Sequence, residues 1–275
     1  MNKIKYHNVI LYLFKMEIEW QKEILYKDLV KWESRLKKEA PFFKEILNGL
    51  KSEDIKILDV SCGTGFHLVM FAKWGFRGVG IDISEKNIVE AIKLANKNNI
   101  EKEIDFIVGD ILEIDKKLKE DSFDFILLIG NTFSIFSLEE RTSLLNQILG
   151  LLNKGGKALI QSVNYLSHQE EKEWFYNPNI QRDKDGALVF HNRVMEWKEA
   201  NNKITMYVHK IKQDSKQEEE FELQTKKTEF YVPKMKDFEY LQNNNSLQIT
   251  FFGDYLKSKF IEEKSNDIVI LIEKN

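Results

Sequence analysis

The sequence predicts an α/β protein: a mostly parallel sheet covered by helices on both faces, with a helical N-terminal arm and an antiparallel β insertion after the fifth strand. Three observations carry this expectation. Short apolar runs alternate with helix-period segments between residues 55 and 163, which is the pattern of strands buried on both faces and joined by crossover helices. A glycine turn closes the first of those runs. Beyond Tyr165 the alternation stops, and long charged runs of strand character take over.

Taken in chain order, Leu25, Leu29, Trp32 and Leu36 recur at helical spacing, and Pro41 stands where it opens a second helix carrying Phe42, Phe43, Ile46, Leu47 and Leu50. Ile55 to Val60 is the first strand; the helix after it runs to Trp74, with Gly75 as its C-terminal cap. Gly78 to Ile83 is the second strand, and Ser84 caps a helix whose face is Ile88, Ala91, Ile92 and Ala95. Ile104 to Val108, Phe123 to Ile129 and Lys157 to Val163 are the third, fourth and fifth strands. Ser137 and Glu140 have capping-box spacing ahead of a helix bearing Leu144, Leu145, Ile148 and Leu151.

The runs Leu188 to Trp197, Ile204 to Ile211 and Phe221 to Tyr231 form the insertion, with Asn201-Asn202 as a turn. Pro233 opens a helix holding Phe238 and Leu241, and Leu247 to Phe252 pairs antiparallel with Asp267 to Ile272. The domain expectation is a core of residues 1–165 and 233–275, with 166–232 inserted as a lid or a homodimer surface.

Composition limits the partners. Forty-one Lys and Arg against 44 Asp and Glu give a net charge of -3, so the electrostatic affinity of a nucleic-acid binder has no global source. The single cysteine, Cys62, makes neither an internal disulfide nor a cysteine metal cluster and fits a reducing, cytoplasmic compartment. The early apolar run Val9 to Phe14 is too short to cross a bilayer, so no membrane association is expected.

The chemistry concentrates in Asp59-Val60-Ser61-Cys62-Gly63-Thr64-Gly65. Glycines at a strand-to-helix turn let a ligand lie against backbone at a helix N-terminus. A dinucleotide fingerprint wants a third glycine three residues after Gly65, where this chain has Leu68. Asp82 ends the second strand, placed for two ribose hydroxyls, and Asp110 ends the third. Acidic residues at three consecutive strand ends repel a pyrophosphate but suit a nucleoside carrying a sulfonium charge. The ligand this implies is S-adenosylmethionine.

Ile57 to Gly65, Gly80-Ile81-Asp82, Gly109-Asp110-Ile111, Asp124 with its strand, and Gly155-Gly156 resemble the Rossmann-like class I S-adenosylmethionine-dependent methyltransferases. Trp32-Glu33-Ser34-Arg35, Gly130-Asn131-Thr132-Phe133 and Asn164-Tyr165 resemble the glycine/sarcosine N-methyltransferase branch. The resemblance implies that Arg35, near Trp32, pairs with the cofactor's methionine carboxylate and that Ser61, Gly63 and Gly65 line the methionine. It places Asp82 and Ile83 at the ribose, Asp110 and Ile111 at the adenine, and Ile129, Gly130 and Asn131 beside the sulfonium and methyl. A substrate-carboxylate arginine of the glycine enzymes is replaced here by Val163, which argues for an acceptor larger or less anionic than glycine.

Small-molecule methyl transfer, most readily to an amine, is the expected activity. O-methylation, nicotinamide-dependent oxidoreduction and a non-catalytic S-adenosylmethionine-binding regulator are the alternatives. Asn131 and Tyr165 are the expected acceptor-orienting residues, with no base and no metal. Cys62 is read as a small buried residue, His67, His168, His191 and His209 as surface or structural, and Lys216 to Glu220 as a solvated turn. Arg193, Met195 and Trp197 alternate on one face, as core packing or a dimer face.

Overall fold

The computed structural model describes residues 30–118, 122–183, 185–198, 202–213 and 221–275. Leu25, Leu29, the run Val9 to Phe14, Asn201 and the run Lys216 to Glu220 lie outside these residues. The described chain divides into two compact units. One holds the residues up to Pro41 with Lys56–Ile111; the other holds Phe42–Ile55 with Leu112–Asn275.

Helix α1 (Trp32–Asn48) contributes its first part to one unit and its second to the other. It passes straight through Pro41, where the sequence reading had a new helix begin. Proline inside a helix forfeits one hydrogen bond and crowds the preceding turn, a cost of about 3 kcal/mol that packing must offset. The packing lies just beyond it: Phe43 is fully buried, edge-on to Phe125 at 6.3 Å, and Phe42 meets Phe252 edge-on at 5.9 Å.

In the first unit, strands β1 (Lys56–Val60), β2 (Arg77–Asp82) and β3 (Ile104–Val108) pair in parallel, in that order. Helix α2 (Phe66–Lys73) ends at Gly75, whose φ of +93° is the left-handed conformation of a helix stop. Leu68 of α2 occupies the space that side chains at Gly78 and Gly80 would need, since a Cβ at either would stand 2.7 Å from it. Close helix–strand packing, which a third glycine in the turn would have allowed, is obtained here from glycines on β2. Ser84 caps helix α3 (Glu85–Lys97) by accepting from the Asn87 N–H at 3.3 Å. Ile88, Ala91 and Ala95 are its buried face, while Ile92, expected with them, lies on the exposed flank.

In the second unit, the short α4 (Ile114–Lys117) precedes β4 (Phe123–Leu128), which runs parallel to β5 (Leu152–Val163). Between them α5 (Leu138–Leu151) starts with the Ser137/Glu140 capping box and buries Leu144, Leu145, Ile148 and Leu151. Four antiparallel strands follow: β6 (Glu173–Arg182), β7 (Leu188–Lys198), β8 (Lys203–Gln213) and β9 (Phe221–Tyr231). Strand β6 had no counterpart in the sequence reading. It is an edge strand whose register shifts between Tyr176 and Asn179, around Pro178, and an edge is where proline is tolerated. After a 3₁₀ turn and α6 (Glu239–Gln242), β10 (Leu247–Phe252) pairs antiparallel with β11 (Asp267–Lys274), which pairs antiparallel with β5.

Among the described residues no helix is long and apolar enough to cross a membrane.

Candidate functional site

The glycine turn of the first unit is strained by design of its sequence. Ser61, Gly63 and Gly65 take φ of +68°, +56° and +76°, and only glycine does so without steric cost. The Ser61 and Cys62 N–H groups both donate to the Ile81 carbonyl, at 2.8 and 3.0 Å, binding the turn to β2. The Gly63 N–H donates to Asp82 Oδ2 at 2.8 Å.

Asp82 is thus a clasp. Its other oxygen, Oδ1, accepts from the Ser84 N–H at 2.9 Å and from Asn87 Nδ2 at 3.2 Å. A carboxylate has about four acceptor positions, so the residue expected at a ribose also ties the turn to the start of α3. Its own carbonyl accepts from the Gly109 N–H at 2.9 Å, drawing the end of β3 alongside. Beside this clasp Ile83 is 66 % exposed, Asp110 is exposed and Ile111 is buried.

Asp59 lies at the end of β1 and is buried, and its Oδ2 has no hydrogen-bond partner among the described residues. Burial chiefly, with the charges of Asp82 and Glu39 adding and those of His67 and Arg35 opposing, pushes its carboxyl up to about 6. An orphaned buried carboxylate oxygen is expensive unless a cationic donor meets it. Burial, with Asp59 and Asp82 adding, holds the Cys62 thiol well above its ordinary range, as befits a packed residue and not a nucleophile.

Arg35 donates from Nε to Glu39 Oε1 at 2.8 Å, and its guanidinium lies 5.3 Å from the centroid of the Trp32 ring. Trp32 stacks on Phe66, the first residue of α2, at 4.5 Å. Glu39 and His67, both buried, meet through Oε2 and Nε2 at 2.7 Å. Neither was singled out as functional from sequence; the only signal was the Arg35/Glu39 spacing of four on one helix.

The second unit brings Asn131 and Tyr165 together. Gly130 and Asn131 turn with φ of +79° and +70°, which aims the Asn131 amide back at the end of β5. Its Oδ1 accepts from the Val163 N–H at 2.9 Å, Ser162 Oγ at 2.9 Å and Ser134 Oγ at 3.1 Å, and its Nδ2 donates to the Tyr165 hydroxyl at 2.7 Å. Ser134, Ser162 and Gln161 went unnoticed in the sequence. Gln161 accepts from the Gly130 N–H at 2.9 Å and donates to Asp267 at 2.8 Å. Ile129, just before the turn, is buried.

Tyr165 is buried under the insertion, stacked on Phe230 at 5.9 Å and clustered with Trp174, Met195, Ile204 and Val232. Burial drives its hydroxyl far above the ordinary range, so the phenol stays protonated. Asn164 is not part of this pair: its Nδ2 donates to the Glu262 and Ser265 carbonyls, each at 2.7 Å, pinning a loop. Met195 belongs to the core cluster, and Arg193 lies over the Tyr176 ring at 4.8 Å. Among the described residues no group of three His, Cys, Asp or Glu side chains is arranged to hold a metal ion.

Residues 51–228 match the family model described as a methyltransferase domain, more than half of the chain. A glycine/sarcosine N-methyltransferase of Halorhodospira halochloris is 32% identical over 146 residues, 50% of each chain. Glycine N-methyltransferase of Mus musculus is 32% identical over 120 residues, 40% of this chain and 41% of that one. The chain therefore spans about half the length, or less, of these curated relatives. In fold it is similar to an S-adenosylmethionine-dependent methyltransferase from Clostridium acetobutylicum, with a TM-score of 0.67 at 18% identity over 98% of this chain and 99% of that one. It is similar also to an amino pentose methyltransferase of calicheamicin biosynthesis from Micromonospora echinaspora, with a TM-score of 0.66 at 14% identity over 91% and 94%.

Proposed function

The chain belongs to the methyltransferase domain family, and from that premise we propose that it transfers the methyl group of S-adenosylmethionine to a small-molecule acceptor, most readily an amine. The observation that carries the reading is the buried Asp59 oxygen without a partner beside a turn of left-handed residues clasped by Asp82. The donor set fits the cofactor. Asp59 offers a carboxylate to the ammonium of the methionine moiety, Arg35 a planar fork to its carboxylate, and Asp82 acceptor capacity to the ribose. Ile83 is assigned with Asp82 to the ribose, Asp110 and Ile111 to the adenine, and Ile129 and Gly130 with Asn131 to the methyl group.

S-adenosylmethionine supplies an activated methyl group whose leaving group is a neutral thioether, so in-line displacement needs no strong base when the acceptor arrives as a free amine. The chain's contribution is orientation. Asn131 Oδ1 is within reach of the Val163 N–H and the Ser162 and Ser134 hydroxyls, and one of its two amide N–H groups goes to Tyr165, which leaves the protonated Tyr165 hydroxyl a donor to the acceptor's polar groups. Glycine, sarcosine and an amino pentose are the substrates in the names of similar proteins, which supports an amine.

Residues 166–232 are taken as an insertion into a core of 1–165 and 233–275. Its exposed Phe175, Ile180, Phe221 and Leu223 suit a lid or a homodimer contact. A net charge of -3 supports a small acceptor over nucleic acid, and the lone buried Cys62 a cytoplasmic setting.

Isothermal titration with S-adenosylhomocysteine and with NAD tests the cofactor. Binding of NAD in place of the nucleoside overturns the assignment. Release of S-adenosylhomocysteine across matched amine and alcohol panels tests the acceptor; turnover confined to alcohols overturns the amine. Asp82→Ala is expected to raise the dissociation constant for S-adenosylhomocysteine about tenfold to a hundredfold, and an unchanged constant removes Asp82 from the site.

A further inference from the structure

We propose that Glu39 and His67 form a buried brace that sets Arg35 for the cofactor's carboxylate, a positioning role that rests on the cofactor assignment above. Glu39 divides its two oxygens, giving Oε1 to Arg35 Nε at 2.8 Å and Oε2 to His67 Nε2 at 2.7 Å. Both partners of the His67 contact have side chains only 5% exposed. A carboxylate bound at Nε fixes one edge of the guanidinium, and the Trp32 ring beneath it at 5.3 Å fixes its face. Edge and face together define the plane of the fork, which is what bidentate recognition of a carboxylate depends on.

The brace is anchored where the cofactor turn begins its helix. Phe66, on which Trp32 stacks, and His67 directly follow Gly65, so Arg35 on α1 is referred to the first turn of α2 through two separate contacts. Burial alone would raise the Glu39 carboxyl, but the hydrogen bond and charge of His67 and then the charge and hydrogen bond of Arg35 outweigh it and hold it below its ordinary range. Glu39 is therefore ionised at neutral pH. Asp59 from β1 and Asp82 from β2 are the other charged groups acting in this cluster. A buried polar contact contributes little net stability over apolar replacements, so mere attachment of α1 to α2 does not require this arrangement.

The test compares two ligands that share adenosine and a thioether but differ in the amino-acid tail. S-adenosylhomocysteine has the carboxylate, and 5′-methylthioadenosine lacks it. In calorimetric titrations Glu39→Gln and His67→Asn are each expected to weaken S-adenosylhomocysteine about tenfold while 5′-methylthioadenosine changes less than about twofold. The double variant is expected to lose no more than the larger single loss, because both act through Arg35. His67→Asn keeps the test informative if Glu39→Gln unfolds, which thermal melts report. Equal weakening of both ligands, or of neither, overturns the brace. Failure of the unaltered protein to bind S-adenosylhomocysteine overturns the cofactor reading instead.

Discussion

The turn around Asp59 and the pair Asn131–Tyr165 are built by opposite means. The first is charged and assembled from neighbours in sequence: Gly63 reaches Asp82 across 19 residues, and Asp82 reaches Ser84 and Asn87 across 2 and 5. The second centres on neutral side chains and is assembled mostly from afar, with Asn131 joined to Ser162, Val163 and Tyr165 across 31 to 34 residues and to Ser134 across 3. Among the described residues the charged site leaves the buried Asp59 Oδ2 unpaired; in the other the Asn131 oxygen and one of its two amide N–H groups have partners. Under the proposed function, the first region would hold unmet electrostatic demand for a charged ligand, and the second would hold its donors in fixed directions for an uncharged amine.

Three substitutions break or sharpen that contrast. Gly65→Ala is expected to have the largest effect. Its φ is +76°, and the new Cβ would stand 2.9 Å from the Phe106 ring and 3.0 Å from Ala91, adding about 1–2 kcal/mol for the left-handed backbone and about 1–3 kcal/mol for overpacking. Calorimetry should show S-adenosylhomocysteine affinity reduced by a hundredfold or more, alongside a lowered melting temperature. Retained affinity would mean that the turn does not touch the ligand.

Asp59→Asn should move stability and binding in opposite directions. The folded carboxyl titrates at about 6 against 3.8 in its unperturbed form, so the folded state binds the extra proton. Stability then falls as pH rises from about 4 through about 6, by up to about 3 kcal/mol. Denaturant titrations between pH 4 and 8 should show this decline in the unaltered protein and its absence in the variant, which is the more stable above pH 6. Affinity for S-adenosylhomocysteine should drop about tenfold. A gain in both quantities removes Asp59 from the ligand.

Tyr165→Phe should have the smallest effect and a different kind. It leaves the Asn131 N–H without its acceptor, a loss of about 1–3 kcal/mol in a buried site. Turnover should fall about tenfold with cofactor affinity unchanged. A variant that instead lost cofactor affinity would dissolve the distinction between the two regions.

The same difference in contact range explains what the sequence disclosed. The strand-to-helix turn at Asp59–Gly65 and the Ser137/Glu140 cap were readable because each is a short-range pattern with a mechanism; the clasp that Asp82 makes to Gly63, Ser84 and Asn87 was not read. Strands β3 and β10 were bounded correctly by their short apolar-rich runs and β9 by its charged strand-like run, and the later antiparallel sheet showed itself where the alternation stopped. Strand β6 was not readable, because Pro178 and an interrupted register conceal an edge. Glu39 and His67 were missed because their partnership depends on α1 and α2 meeting, 28 residues apart. Gln161 and Ser162 are polar residues in the apolar second half of β5, and nothing local says that they converge on Gly130 and Asn131. Pro41 misled for a related reason: local propensity ends a helix there, and the aromatic packing of Phe42 and Phe43 carries it on.

Leu68 lends its side chain to two strand positions that have none, Gly78 and Gly80. The three residues are therefore one unit of inheritance. A relative that acquires even a methyl group at position 78 must give up volume at 68, and one that acquires it at position 80 must make room at Cys62 and Phe106 as well, which would stand 2.8 and 3.0 Å from the new Cβ. Natural variation should show these positions exchanging bulk, small in one place only when large in the other. A close relative with leucine at 68 and alanine at both 78 and 80 would need a wider gap between helix and sheet, and with it a displaced glycine turn.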